Sequence, residues 1–467
     1  MNANLPLSLK CPPPLEPGFV PAALWNRAFR GRVRESGDAR PFGVALEQPD
    51  GAVSVYRTEI LPETGPENAA LNTRFATHLV KFLLWQRGGH RVFLGGSDSL
   101  TREIAAQYSP EGARAFDHRF MGEKAYRASF EIVGVPFDDL PEPRETAVEL
   151  GGHLDGCRIG FDLGGSDRKA AAVVEGEVVF SEEVPWDPYF QSDPQYHLDG
   201  IRQSLEAAAA HLPRVDAIGG SAAGVYVNNE VRVGSLFRGV PDDVFDQKVR
   251  RMFFDLQAER GGVPFVIVND GDVTALAGSM ATGDTGVLGV AMGTSEAVGF
   301  VTPGGHITTW LNELAFAPID YQENAPADEW SGGPGVGAQY LSQQAVGRLA
   351  ARAGYAFPDE MGLPGRLVAV QKAMEAGEPG AAKIFETVGR YFGYAVAHYA
   401  DFYDIRQILA LGRVTSGAGG DLLLREAKNV LATEFPGLAE KIQFRQPGEK
   451  EKRHGQAIAA ASLPALS

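Results

Sequence analysis

The sequence predicts an α/β protein of several structural units, the first of them a small α/β domain. Three observations predict it. Apolar strands alternate with glycine turns and helical stretches through most of the chain. A strand–glycine turn–strand pattern occurs twice, at 159–174 and again at 287–301. A chain of 467 residues is also too long for one hydrophobic core, and such a length divides into roughly two to four units.

Composition narrows the function. An apolar content of 44% and 30 prolines are those of a soluble globular protein. No apolar run approaches a membrane span, and no basic-then-apolar leader opens the chain, so no membrane partner is expected. Cys11 and Cys157 are the only cysteines, too few for a disulfide scaffold or a cysteine-based zinc site, which points to the cytoplasm. The formal charge of −16 argues against nucleic acid as a partner, because a phosphate backbone is repelled. A local basic cleft for an anionic substrate remains compatible with it.

Residues 1–150 read as an extension followed by a small α/β domain. Pro12-Pro13-Pro14 and Pro17-Gly18 make an extended arm. Phe42–Leu46 and Val53–Tyr56 flank Pro49-Asp50-Gly51, a hairpin signal. The spacing predicts a helix over 67–86, with Leu71, Phe75, Leu79, Phe82 and Leu83 on its apolar face. Arg91–Gly96 is a further strand ending in a glycine turn, but without a partner motif that turn is a weak pointer to a ligand. Leu140-Pro141-Glu142-Pro143-Arg144 is a linker into the next unit.

The chemistry begins at Arg158–Lys169. Ile159, Phe161 and Leu163 alternate into Gly164-Gly165-Ser166, and a second strand starts near Lys169. Adjacent glycines let backbone N–H groups approach a phosphate closely, with the Ser166 hydroxyl and Lys169 ammonium alongside. Asp162, ending a buried strand, needs a partner, and Mg²⁺ with its waters is a suitable one. A strand rather than a helix follows, so this is neither a Walker loop nor a dinucleotide-binding turn. Taken alone, an ordinary Gly-Gly hairpin explains the stretch equally well.

Further on, 198–212 reads as a helix, and 215–224 as a strand running into a small-residue turn. The strand 263–268 ends in Asn269-Asp270-Gly271-Asp272 and a helix follows. Asp270 therefore sits where open α/β folds place ligands, although a helix N-cap accounts for an aspartate there without chemistry. The second strand–turn–strand carries Gly293-Thr294-Ser295 at its bend. Two such hairpins facing across a cleft hold the ends of a polyphosphate. Finally a strand over 407–412 leads through Gly412, Gly417, Gly419 and Gly420 into a helix over 421–431, a turn able to pack a nucleoside against backbone.

In this order, residues 157–467 resemble the sugar-kinase branch of the actin–hexokinase–heat-shock ATPase superfamily, most closely the ROK (repressor, open reading frame, kinase) family. The resemblance does not extend into the first 150 residues. It implies a two-lobed actin/hexokinase-like (ribonuclease H-like) kinase fold, with lobe 1 at 151–285, lobe 2 at 286–467 and a C-terminal helix returning to lobe 1. It implies ATP and Mg²⁺ as cofactors. Asp162–Lys169 is similar to the first phosphate loop, with Asp162 holding magnesium through water, and Gly293-Thr294-Ser295 is similar to the second. Gly412 to Gly420 matches the adenosine segment. Asn269–Asp272 matches the catalytic segment, with Asp270 the general base, and Ser221, Asn269 and Glu313 fall on the acceptor side. Family members are often homodimers.

The departures carry information too. Phe316 in Asn312–Phe316 stands where the family's zinc-binding histidine would be, and no cysteine is near, so no zinc site is expected. A later sugar-binding glutamate falls at Ala338, the usual Pro-Gly turn reads Ser221-Ala222-Ala223-Gly224, and a sugar-binding asparagine is replaced near Ser235–Arg238. The expectation is an ATP-dependent kinase acting on a sugar or sugar-like hydroxyl, its glucose-like site rebuilt or lost; a third alternative is a kinase for a larger or non-hexose polyol, its pocket completed by the N-terminal domain. The rival is a catalytically silent sugar sensor on the same fold. DNA binding is not expected, because the N-terminus reads as mixed α/β and the chain is acidic.

Overall fold

The computed structural model describes residues 5–144, 150–358, 360–446 and 449–466. Residues 145–149, at the expected boundary between the first two units, lie outside the described residues. Among those described, four sheets carry the chain.

The first sheet comprises β1 (Arg40–Glu47), β2 (Val53–Ile60), β3 (Arg91–Gly95) and β4 (Glu131–Val135), in the order β2-β1-β3-β4. Its hairpin turns at Gly51, whose φ of 85° a side chain would resist, and Asp50 Oδ1 accepts the Ala52 N–H at 3.0 Å. The helix Gly65–Arg87 connects β2 to β3. It is buried nearly all round its last three turns because it lies between this sheet and lobe 2; Phe82 stacks on Phe402 with ring centroids 4.1 Å apart. The arm before the sheet also serves lobe 2. Phe19 packs among Tyr340, Tyr391 and Tyr394, and Glu16 pairs with Arg348 and Arg352. The helix Ala22–Ser36 follows it against the same face. One apolar core thus runs from the arm through the first sheet into lobe 2.

Lobe 1 holds β5 (Cys157–Leu163), β6 (Asp167–Val174), β7 (Glu177–Pro185), β8 (Ala217–Ala222) and β11 (Phe265–Asn269), ordered β11-β8-β5-β6-β7. Its three hairpin strands are antiparallel, while β5, β8 and β11 are parallel. A ribbon of β9 (Gly224–Val227) and β10 (Glu230–Gly234) stands beside β11. Ile159, Phe161 and Leu163 face one apolar layer with the helix Gln195–Ala209. Gly160 and Gly219 face the other way, where the helix Glu449–Ala461 lies flat. A Cβ on either would come within 1.7 Å of a carbonyl of that helix, Ala457 or Ala460.

Lobe 2 is built on β12 (Val287–Met292), β13 (Glu296–Val301), β14 (Gln407–Leu411) and β15 (Gln443–Arg445), ordered β13-β12-β14-β15. The helices Pro379–Tyr399 and Gly417–Glu434 pack together beside it. The helix Asp270–Thr282 leaves β11 and runs against β12 and β13, joining the lobes. Gly299 allows the contact, since a Cβ there would lie 2.1 Å from the Gly271 carbonyl. Among the described residues, no helix is long and apolar enough to cross a membrane.

Candidate active site

Parallel pairing places Asp162, at the end of β5, opposite Ser221 on β8, and antiparallel pairing places it opposite Lys169 on β6. The buried Ser221 hydroxyl donates to Asp162 Oδ1 at 2.8 Å, so Ser221 serves the carboxylate from behind. Lys169 Nζ lies 3.5 Å from Asp162 Oδ2 and 2.9 Å from Asp167 Oδ1. Burial raises the Asp162 pKa more than Lys169 and Ser221 lower it. Burial works against the Lys169 ammonium, but Asp167 and Asp162 outweigh it and raise its pKa.

The first glycine loop is closed by the Gly164 N–H donating to the Asp167 carbonyl at 2.9 Å. Trp186, just past β7, braces it: its indole N–H donates to the Gly164 carbonyl at 2.7 Å and its backbone N–H to the Ser166 carbonyl at 3.1 Å. Tyr189 presses on the same loop; a Cβ on Gly165 would sit 2.0 Å from its hydroxyl oxygen. Ser166 is exposed and its hydroxyl donates to Asp167 Oδ2 at 2.8 Å. Neither Trp186 nor Tyr189 was singled out in the sequence, where the only signal is an aromatic pair ending the third hairpin strand.

In lobe 2, Gly293 N–H donates to the Ser295 carbonyl at 3.0 Å, leaving Thr294 and Ser295 exposed at the bend between β12 and β13. Gly412, with φ 89°, approaches this bend closely enough that a Cβ would lie 2.5 Å from the Met292 carbonyl. Gly417 is exposed, with φ 67°, at the start of the following helix. Gly419 and Gly420 are buried and have packing reasons, the Phe385 ring and the Thr415 carbonyl.

Asp270 opens the helix that follows β11, and Asn269 is its N-cap, accepting the Gly271 N–H at 2.7 Å. Asn269 Nδ2 also donates to the Gly224 carbonyl at 2.7 Å, fastening β9 to the end of β11. Burial, then the Asp162 charge, pushes the Asp270 carboxyl up to about 6. Asp272, the third residue of the helix, accepts Asn312 Nδ2 at 2.9 Å and the Phe300 N–H at 3.3 Å; burial outweighs both and lifts it to about 7. Glu313 is raised to about 8 by burial and by the charges of Asp270 and Asp272. The helix Gly65–Arg87 holds this segment: the Asn312 and Glu313 N–H groups donate to the Gln86 and Trp85 carbonyls at 2.9 and 3.0 Å. Phe316, one turn on, packs its ring against Trp85 and Trp330.

This arrangement offers a base poised near neutrality, an anionic corner at Asp162, and two loops with N–H and hydroxyl donors. Among the described residues, no group of three or more His, Cys, Asp or Glu side chains forms a ready metal cage. Magnesium bound through waters and phosphate oxygens needs only one or two carboxylates. Asp162 suits that role, with Oδ1 hydrogen-bonded and Oδ2 engaged only by the longer Lys169 contact.

No family model matches the chain, and no curated protein matches it by sequence. Solved structures do match it by fold. The ROK hexokinase of Thermus thermophilus shares it at a TM-score of 0.52 and 19% identity, over 65% of this chain and 96% of that one. A ROK-family glucokinase from Streptomyces griseus, solved with glucose and AMPPNP, gives 0.46 at 20% identity, over 66% of this chain and 98% of that one. A ROK-family transcriptional regulator, a homologue of the E. coli MLC protein, gives 0.49 at 18% identity, over 66% and 79%. Over 65% of its length, then, the chain carries the two-lobed hexokinase-like α/β fold of a ROK hexokinase.

Proposed function

We propose that this protein transfers the γ-phosphoryl group of ATP to a hydroxyl of a sugar or sugar-like polyol, with Asp270 as general base. The observation that carries the reading is Asp270 itself, a carboxylate raised to about 6 by burial and by Asp162, at a helix N-terminus beside the first glycine loop. Such a group is mostly ionised at neutral pH yet more basic than a free aspartate, which suits proton removal from an attacking hydroxyl. The fold shared with the Thermus thermophilus ROK hexokinase supports the same reading.

Asp162, whose Oδ1 accepts the Ser221 hydroxyl, would hold a magnesium ion through water, and that ion would supply neutralisation of the polyphosphate charge. Gly165 and Ser166 from one loop, and Thr294 and Ser295 from the other, donate to phosphate oxygens, while the Gly164 and Gly293 N–H groups close the two bends. Lys169 exchanges Asp162 for a phosphate oxygen, and Gly412 and Gly417 border the adenosine, with Gly419 and Gly420 setting the helix behind it. On the acceptor side Asn269 fixes the end of β11, and Glu313, neutral at pH 7, donates to a second hydroxyl. Positioning and charge neutralisation supply the rate.

A second reading, a silent sugar sensor, is favoured by one observation: Lys169 already lies against the Asp162 carboxylate. ADP release with a panel of hexoses, amino sugars and polyols separates the two. The kinase reading predicts acceptor-dependent turnover that Asp270→Asn abolishes. No turnover, with sugars still raising the melting temperature of both proteins, selects the sensor.

A further inference from the structure

The N-terminal sheet and both lobes meet around a cavity of about 240 Å³. The turn after β1 contributes Gln48 and Asp50, the β9–β10 turn contributes Asn228, and the segment leading to Asn312 contributes Thr308, Thr309 and Trp310. The edge of β11 forms its floor as far as Asn269.

The chemistry of this lining is selective. No lysine, arginine or histidine is among the described lining residues, whereas Asp50 and Asp272 are. The Asp50 carboxylate therefore disfavours phosphates and carboxylates as ligands. Amides, threonine hydroxyls and a carboxylate suit the hydroxyl groups of a neutral ligand, and Trp310 supplies an aromatic wall. Asp50 Oδ1 is committed to the Ala52 N–H, leaving Oδ2 for a ligand. The volume is below the roughly 300–1,000 Å³ of pockets for drug-sized molecules, so one small ring fits.

The cavity also adjoins the candidate active site. Asn269, in its floor, immediately precedes Asp270, and Gly224, also in its lining, accepts the Asn269 amide. Asp272 lines the cavity while accepting Asn312 Nδ2, next to Glu313.

We propose that this cavity is a subsite for a second, uncharged sugar ring of the acceptor, making the preferred acceptor a disaccharide or glycoside rather than a free monosaccharide. The inference rests on the phosphoryl-transfer reading. Its test uses the full chain, because the arm and the helices before β3 are part of the lobe 2 core and truncation would expose that core. Two variants address the lining from opposite sides. Asp50→Asn keeps the turn's hydrogen bond, and Asn228→Gly suits the positive φ of 51° at that position.

The measurement is kcat/KM for glucose, mannose and N-acetylglucosamine against their disaccharides. The wild type favours a disaccharide, and each variant lowers its kcat/KM about tenfold, the loss of one good hydrogen bond, while the monosaccharide rate is unchanged. Equal rates for mono- and disaccharides, or equal losses for both in the variants, overturn the subsite. So does a monosaccharide that stimulates turnover without competing, which would make the cavity an effector site. If nothing turns over, the phosphoryl-transfer reading fails on its own. Calorimetric titration with the same sugars then decides the subsite: disaccharide binding weakened in both variants upholds it, and unchanged binding removes it.

Discussion

Replacing Glu296 with glutamine tests how the candidate site's surroundings handle buried charge. Glu296 is 4% exposed on β13, directly after the second glycine loop. Its Oε1 accepts the Tyr399 hydroxyl at 2.9 Å, while Oε2 has no hydrogen-bond partner among the described residues. Burial lifts the carboxyl from 4.5 to about 8 against the Tyr399 bond. Because the folded pKa lies above the unfolded one, the native chain holds a proton that the unfolded chain has already released. Stability from this group is therefore greatest below pH about 4.5 and declines as pH rises to about 8. Each pH unit in that window costs about 1.4 kcal/mol. Between pH 5.5 and 8, Glu296→Gln, which keeps the Tyr399 contact and never ionises, gains roughly 3 kcal/mol on the wild type. Urea unfolding followed by tryptophan fluorescence at the two pH values measures the difference. Parallel pH dependence of the two proteins would refute the reasoning, since Glu296 would then ionise alike in both states.

Other outcomes follow from the same geometry. Acceptor kcat/KM rises through pH about 6 as Asp270 ionises and falls above about 8 as Glu313 loses the proton it donates to the acceptor; Glu313→Gln keeps the acid limb and loses the alkaline one. Asp117→Ala strands the buried Lys81 ammonium, now 2.9 Å from that carboxylate, and costs about 3–5 kcal/mol. The double variant Lys81→Met/Asp117→Leu recovers most of it in a melting experiment, which a purely steric role for Asp117 would not allow. Gly160→Ala drives a Cβ into the Ala457 carbonyl and costs about 1–3 kcal/mol, read as faster proteolysis of the C-terminal helix; unchanged proteolysis would show that the helix sits elsewhere.

Much of this was legible in the chain. The alternation of Ile159, Phe161 and Leu163 into two glycines defines β5 and its loop because period-two burial and a glycine bend are local properties. Asp270 at a strand end and helix start is equally local, so its place in the fold followed. Partners set by long-range pairing were not legible. Ser221 meets Asp162 through the parallel register of β5 and β8, which lie 59 residues apart in the chain, so a residue expected at the acceptor instead supports a carboxylate. The helix Gly65–Arg87 reads as amphipathic, yet its second face is buried by lobe 2, and its last carbonyls hold the Glu313 segment. No local pattern in residues 1–150 announces that the arm and first sheet share a core with lobe 2; long-range contacts such as Phe19 among three tyrosines and Phe82 on Phe402 reveal it.

Asp270 is proposed to remove the proton from an attacking hydroxyl and to take no part in nucleotide binding. Single-turnover transfer from γ-labelled ATP, with nucleotide affinity measured alongside, tests it most directly in the wild type and Asp270→Asn. The account predicts label on an acceptor hydroxyl in the wild type, transfer abolished in the variant, and the same ATP affinity in both. Equal transfer by the two proteins, or ATP affinity lost together with transfer, would contradict it.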